Sequence, residues 1–287
     1  MTTKKKIGLA LGGGAAKGLA HIGIIKALER AEVGIDFIAG TSMGALIGGY
    51  YAATKDTTLL ENIALDIKKS DIFSWRDMIK RKDGALFKGE SITERLKKEL
   101  GDFKIENCQI PFTAIATNVK NGDEIHLKDG NLADAIRASI AIPLIFSPVE
   151  IDGKLLMDGG LANPVPADVV KEMGAEFAIA VDVSSRWLET PEEMASVRDM
   201  YSAITQTLSV VEYQLAKNVL KQSADIIIKP PIFHFDWFSF EKAEEIIKIG
   251  EREAELHLRE IRQKTGYRAP YRTIGEKFLD FILNQPH

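Results

Sequence analysis

A serine set between two glycines, Gly40-Thr41-Ser42-Met43-Gly44, is the first place in this 287-residue sequence where chemistry is legible. A hydroxyl serves as a nucleophile when a sharp strand-to-helix turn exposes it, and such a turn needs small neighbours because other backbone passes close by. The flanks fit: Phe37-Ile38-Ala39 is apolar, and Ala45-Leu46-Ile47-Gly48-Gly49-Tyr50 comes after. Standing alone, the pattern would also suit a chance glycine-rich turn. A second stretch, Gly12-Gly13-Gly14-Ala15-Ala16-Lys17-Gly18, directly succeeds the apolar run 7–11. Consecutive small residues at a helix start leave N–H groups free to converge on an anion, and the tetrahedral intermediate of acyl transfer is one. The stretch is neither kind of nucleotide loop. Lys17 stands between Ala16 and Gly18 rather than before a hydroxyl residue, and it occupies the sixth position from Gly12, where a dinucleotide loop requires glycine. The third stretch is Met157-Asp158-Gly159-Gly160, continuing into Leu161-Ala162-Asn163-Pro164-Val165-Pro166. It sets a carboxyl at a strand end where a second backbone can approach, although an Asp-Gly pair by itself also reads as a plain turn.

The elements that must position these groups are read from periodicity. Short apolar runs predict strands at 7–11, 37–39, 112–118, 124–127, 177–183 and 225–228, with a hairpin of 145–151 and 154–157 around Asp152-Gly153. Helical spacing predicts helices at 19–30, 45–53, 57–69, 89–100, 132–139, 165–173, 192–222 and 240–261. Strands alternating with helices imply an α/β fold with a mostly parallel sheet covered on both faces. The length favours one domain over 1–265, its motif-bearing core at about 5–185, then a tail over 266–287.

Taken together, the glycine loop, the serine turn and Asp158-Gly159-Gly160, in that order, resemble the patatin-like phospholipase family. The segment Arg137-Ala138-Ser139-Ile140-Ala141-Ile142-Pro143-Leu144-Ile145-Phe146-Ser147-Pro148-Val149 is similar to the family's approach to its aspartate strand, and Asn163-Pro164-Val165-Pro166 is similar to the family's segment after that strand. The resemblance implies a three-layer α/β/α fold and a serine esterase acting on lipid acyl esters, of phospholipase A or lysophospholipase type, with no cofactor and no metal. It implies Ser42 as nucleophile, Asp158 as base, and an oxyanion hole from the amides of Gly12, Gly13, Gly14 and Ala15. Lys17, Gly18, Gly40, Gly44, Gly159 and Gly160 are the implied supporting residues. The chain departs from the commonest plant-type pattern, aspartate-glycine-glycine-glycine-x-arginine-glycine. Gly12 stands for the aspartate, Ala15 for the third glycine, and Lys17 for the arginine without its planar fork. Ala141 and Leu144 stand where many relatives carry serine and glycine.

Four other readings compete. A Ser-Asp-His triad would need one of five histidines; His234, in the aromatic loop 230–240, is the best placed, while His21, His126, His257 and His287 read as packing, strand, helix-face and terminal residues. An acyltransferase would share the acyl-serine step. An acyl-ligand binding protein or a regulatory relative would not need a nucleophile opposite a base. Net charge of −4 and a pI near 5.8 give no nucleic-acid signature. A single Cys108 excludes an internal disulfide and fits a reducing, cytoplasmic setting. No stretch reaches the roughly 20 apolar residues of a spanning helix, so membrane contact is expected to be peripheral. The basic and apolar segment 68–88, with Ile72, Phe73, Trp75, Met78 and Ile79, is the candidate contact, beside the duller reading of an amphipathic flank. Lys4–Lys6 and the aromatic run 233–240 are weaker candidates, the latter read first as core. Oligomeric state is not legible.

Overall fold

Five consecutive buried residues form β1 (Ile7–Leu11), and the same holds for β7 (Phe177–Val181), so these strands must lie inside a sheet with both faces covered. Such is the architecture of the computed structural model, which describes residues 4–65, 97–143, 145–184 and 200–267, with side chains from 206 onward in the last stretch. The other strands are β2 (Phe37–Thr41), β3 (Phe112–Asn118), β4 (Glu124–Leu127), β5 (Val149–Ile151), β6 (Lys154–Asp158) and β8 (Ile226–Ile228). They form one sheet, β5-β6-β3-β2-β1-β7-β8, with β4 also on β3. The run from β3 through β2, β1 and β7 to β8 is parallel, and β4, β5 and β6 add an antiparallel end.

The two sheet faces differ in side-chain size. Ile7, Leu9, Leu11, Ile179 and Val181 pack into a large aliphatic core with α1 (Ala20–Arg30), α2 (Met43–Thr54), α3 (Thr57–Leu65), α4 (Leu132–Ser139) and α7 (Ala243–Thr265). The opposite face shows Ala10, Ala39, Ala178 and Ala180 to α5 (Ala167–Glu172) and α6 (Met200–Ser223). Small residues let α5 sit close: a Cβ on Gly8 would stand 2.6 Å from the Cβ of Val170. The result is the three-layer α/β/α sandwich expected from the sequence, with its mostly parallel centre.

The pairing around β3 positions both the serine and the aspartate. Ala114 of β3 pairs with Leu127 on one edge and Gly40 on the other, while Ala116 pairs with Ile125 and Asp158. So β4 takes one edge of β3, and β2 and β6 share the other. They run in opposite directions and meet end to end, Thr41 opposite Ile115 and Asp158 opposite the adjacent Ala116. The residue after Thr41 is Ser42.

Several boundaries move from the sequence expectation. α2 starts at Met43 rather than Ala45, and a 3-10 turn, Ala15–Leu19, precedes α1. The hairpin begins only at Val149 because Pro148 cannot donate to a ladder, and α5 begins at Ala167, after Pro164 and Pro166. The final helix runs on to Thr265, where Gly266 at φ 77° closes it. The basic segment 68–88, the parts of the expected helices at 66–69, 89–96 and 192–199, Leu144 and the tail beyond 267 lie outside the described residues.

Candidate active site

Ser42 sits at the bend between β2 and α2 with φ 54° and ψ −121°. A non-glycine residue holds that conformation only if its surroundings enforce it, at a cost of about 1–3 kcal/mol. The flanking glycines show the enforcement. A Cβ on Gly40 would collide with the Gly44 carbonyl, and one on Gly44 with the Leu11 carbonyl, so α2 lies directly on the ends of β1 and β2. The Ser42 N–H is held by the hydroxyl of Ser139, at the end of α4, at 2.9 Å. Beside it, the Thr41 hydroxyl donates to the Asn163 carbonyl at 2.7 Å, tying the bend to the segment after Asp158.

The Ser42 hydroxyl donates to Asp158 Oδ2 at 2.7 Å, and both side chains are buried. The other carboxylate oxygen, Oδ1, accepts the Gly160 N–H at 2.8 Å. The Asp158 backbone is fixed by its N–H on the Ala141 carbonyl and by the Thr117 hydroxyl on its own carbonyl. Burial pushes the Asp158 carboxyl up to about 6 from an ordinary value near 3.8, against the pull of the hydrogen bonds from Gly160 and Ser42. Gly159 is glycine because a Cβ there would strike the Ile115 carbonyl on β3.

The glycine loop divides into spent and free donors. The Gly12 N–H goes to the Val181 carbonyl and the Gly13 N–H to the Pro164 carbonyl, both at 3.0 Å. These two amides, expected from the sequence to belong to an anion site, are occupied in holding the loop. The N–H groups of Gly14 and Ala15 have no acceptor among the described residues, and both residues line one pocket with Ser42 and Asp158. Ala15 is held at φ 48°, a left-handed conformation that glycine would adopt without strain. Gly18 presses on Met43, so the loop and the serine turn pack directly together. The charged form of Lys17 is disfavoured by burial and supported by Glu212, Asp236 and Asp182.

The remaining pocket lining is Ile142, Pro143, Leu161, Leu208, Glu212 and Trp237. The apolar members sit beside a cluster of Ile145, Phe146, Trp237 and Phe238, so the aromatic run 233–240 contributes core and pocket wall. Sequence reasoning gave no role to Ser139 or to Glu212. For Glu212 a signal existed: Leu208, Glu212, Ala216 and Leu220 share one face of α6 at helical spacing, and only one of them is charged.

No histidine is among the residues lining the pocket. His21 is buried with Nε2–H on the Gly12 carbonyl at 2.8 Å, and burial pushes it down to about 4. His126 bonds Glu124, His257 faces Glu253, and the His234 ring lies against Phe235. Among the described residues no helix is long and apolar enough to cross a membrane.

Comparison with known proteins gives a consistent picture. A family model described as patatin-like phospholipase matches residues 9–171. The chain is 31% identical over 274 residues to patatin-like phospholipase domain-containing protein 6 of Homo sapiens, covering 86% of this chain and 20% of that protein. It is 27% identical over 301 residues to lysophospholipase nte1 of Emericella nidulans, covering 97% of this chain and 20% of that protein. The chain thus spans about a fifth of the length of these two relatives. In fold it is similar to the crystal structure of VipD from Legionella pneumophila, with a TM-score of 0.51 at 12% identity, covering 90% of this chain and 67% of that one.

Proposed function

Because the chain belongs to the patatin-like phospholipase family, we propose that it hydrolyses lipid acyl esters with Ser42 as nucleophile and Asp158 as its base. The observation that carries this reading is the 2.7 Å hydrogen bond from the Ser42 hydroxyl to Asp158, beside the two free amides of Gly14 and Ala15. As Ser42 Oγ attacks the ester carbonyl, its proton passes to Asp158 Oδ2, and the Gly14 and Ala15 N–H groups receive the negative charge on the carbonyl oxygen. Collapse breaks the bond to the alcohol, which leaves with the proton from Asp158. Water then attacks the acyl-serine, gives a proton to Asp158, and releases a fatty acid as that proton returns to Ser42. The raised carboxyl suits this work, since a base nearer neutrality takes a hydroxyl proton more readily. A phospholipid or lysophospholipid is the proposed substrate class, from the family and from the apolar wall of Ile142, Leu161, Leu208 and Trp237.

The test is a panel of lipid and water-soluble acyl esters assayed with wild type, Ser42→Ala and Asp158→Asn, together with labelling by a serine-directed fluorophosphonate. Ser42→Ala is expected to abolish labelling, and both variants to lose at least about 1,000-fold in kcat/KM. Hydrolysis by folded Asp158→Asn near the wild-type rate would remove Asp158 as base.

A further inference from the structure

Glu212 is a carboxyl in the reaction pocket that the Ser42–Asp158 chemistry leaves unused. It projects from α6 into the same lining as Ser42, Asp158, Gly14 and Ala15. Its Oε1 and the Asp158 Oδ1 converge on Gly160: a Cβ there would stand 2.7 Å from the first and 3.1 Å from the second. Gly160 therefore leaves the space that lets a second carboxyl approach the base. The face of α6 that carries Glu212 is otherwise apolar, with Leu208 in the pocket and Ala216 and Leu220 in the core against the sheet. Glu212 is half-buried there, a carboxyl among apolar neighbours. Among the described residues no hydrogen bond or ion pair occupies it.

Resting on the proposed Ser42–Asp158 reading, we propose that Glu212, in its protonated form, donates a hydrogen bond to the alkoxy oxygen of the bound ester and so supports departure of the alcohol. Asp158 cannot do this while it receives the serine proton, because Oδ2 faces Ser42 and Oδ1 is held by Gly160. Glu212 keeps its proton throughout; Asp158 alone moves one from Ser42 to the leaving oxygen. In the second half-reaction water takes the place of the alcohol and meets the same carboxyl. The groups facing Glu212 set its charge: burial and the nearby Asp158 and Asp182 push it up to about 8, while Lys17 pulls the other way. It is therefore neutral and a donor at pH 7. Above about pH 8 it becomes an anion beside the site where the oxyanion must form.

The experiment compares wild type, Glu212→Gln and Glu212→Leu on alkyl and p-nitrophenyl esters of one fatty acid, each across pH 5–10. The alkyl alcohol needs help to leave and the nitrophenolate does not. Glu212→Leu is expected to lose about 100-fold in kcat/KM on the alkyl ester, and about threefold or less on the aryl ester. Glu212→Gln, which keeps a donor but cannot ionise, is expected to recover most of that loss and to lack the alkaline fall of wild type. Equal losses on both esters, or an alkaline fall unchanged in Glu212→Gln, would overturn the role. Fluorophosphonate labelling tracks the Ser42–Asp158 pair separately. Wild type that resists labelling removes the dyad, whereas labelled variants without leaving-group dependence remove only Glu212. If Glu212→Leu does not fold, the Glu212→Gln pH profile decides.

Discussion

At the scale of single residues, Ser42 and Asp158 are held in states that an isolated chain would avoid. Ser42 has a left-handed φ, and Asp158 is a carboxyl taken out of water. The second has a measurable consequence for stability. Its folded value, about 6, lies above the ordinary 3.8, so the folded protein holds this proton more tightly than the unfolded chain. The stability it confers is complete below about pH 4 and is lost as pH rises through 6. Asp158→Asn, neutral at every pH, is expected to unfold at higher urea than wild type at pH 8. A gain of about 3 kcal/mol is expected, shrinking toward zero near pH 4. Urea unfolding of both proteins at the two pH values checks it; a gain that does not depend on pH would contradict the account. Activity has the opposite slope: wild-type kcat/KM should climb through about pH 6 as Asp158 ionises.

Elements supply what the residues cannot arrange for themselves. β2 and β6 abut along one edge of β3, which brings together two side chains 116 positions apart in sequence. The abutment is sensitive to any thickening between α2 and the strand ends. Gly44→Ala would set a methyl against the Leu11 and Gly12 carbonyls, pushing α2 off β1 and with it the serine from the free amides. A displacement of about 1 Å at such a site costs about 100-fold in rate. Gly44→Ala is thus expected to lose at least that much esterase activity, with a fluorophosphonate labelling rate reduced in parallel. Gly153, on the exposed hairpin turn with nothing within 4 Å of its Cβ position, is the matched control; there alanine meets only its own φ of 72°.

Across the whole molecule the fold depends on helices packed on one another as well as on the sheet. α1 and α7 cross in close contact through two glycines. A Cβ on Gly23 would strike the Ile247 carbonyl, and one on Gly250 the Ala20 carbonyl. Arg30 on α1 reaches Glu251 and Glu255 of α7, and the Arg262 guanidinium donates to the Ala31 carbonyl at 3.0 Å. The exposed Arg30 pairs contribute little; the close backbone contact decides the geometry. Gly23→Ala is expected to destabilise the fold by about 3 kcal/mol, although it touches no pocket residue. Thermal unfolding checks it: a Tm within about 1 °C of wild type would mean that the two helices separate at no cost.

How much of the molecule is legible in its sequence differs with the kind of interaction. Local patterns carried the three motifs, most strands and the layered fold, because burial on a strand or a helix face leaves a period in the sequence. The same patterns misplaced the hairpin start and the start of α5, where prolines overrode the apolar signal. Which glycine-loop amides remain free could not be read, since the Gly12 and Gly13 partners, Val181 and Pro164, lie some 150 residues or more away. Nor could the roles of Ser139 and Glu212, whose significance lies in what faces them. The sequence determined that this chain carries a hydroxyl, a carboxyl and a row of small residues at strand ends. Only the tertiary structure decided that two strands stop head to head on β3, that Gly14 and Ala15 keep their donors, and that α6 brings a second carboxyl beside the first. Such contacts join distant parts of the chain, and a contact of that kind leaves no period to read.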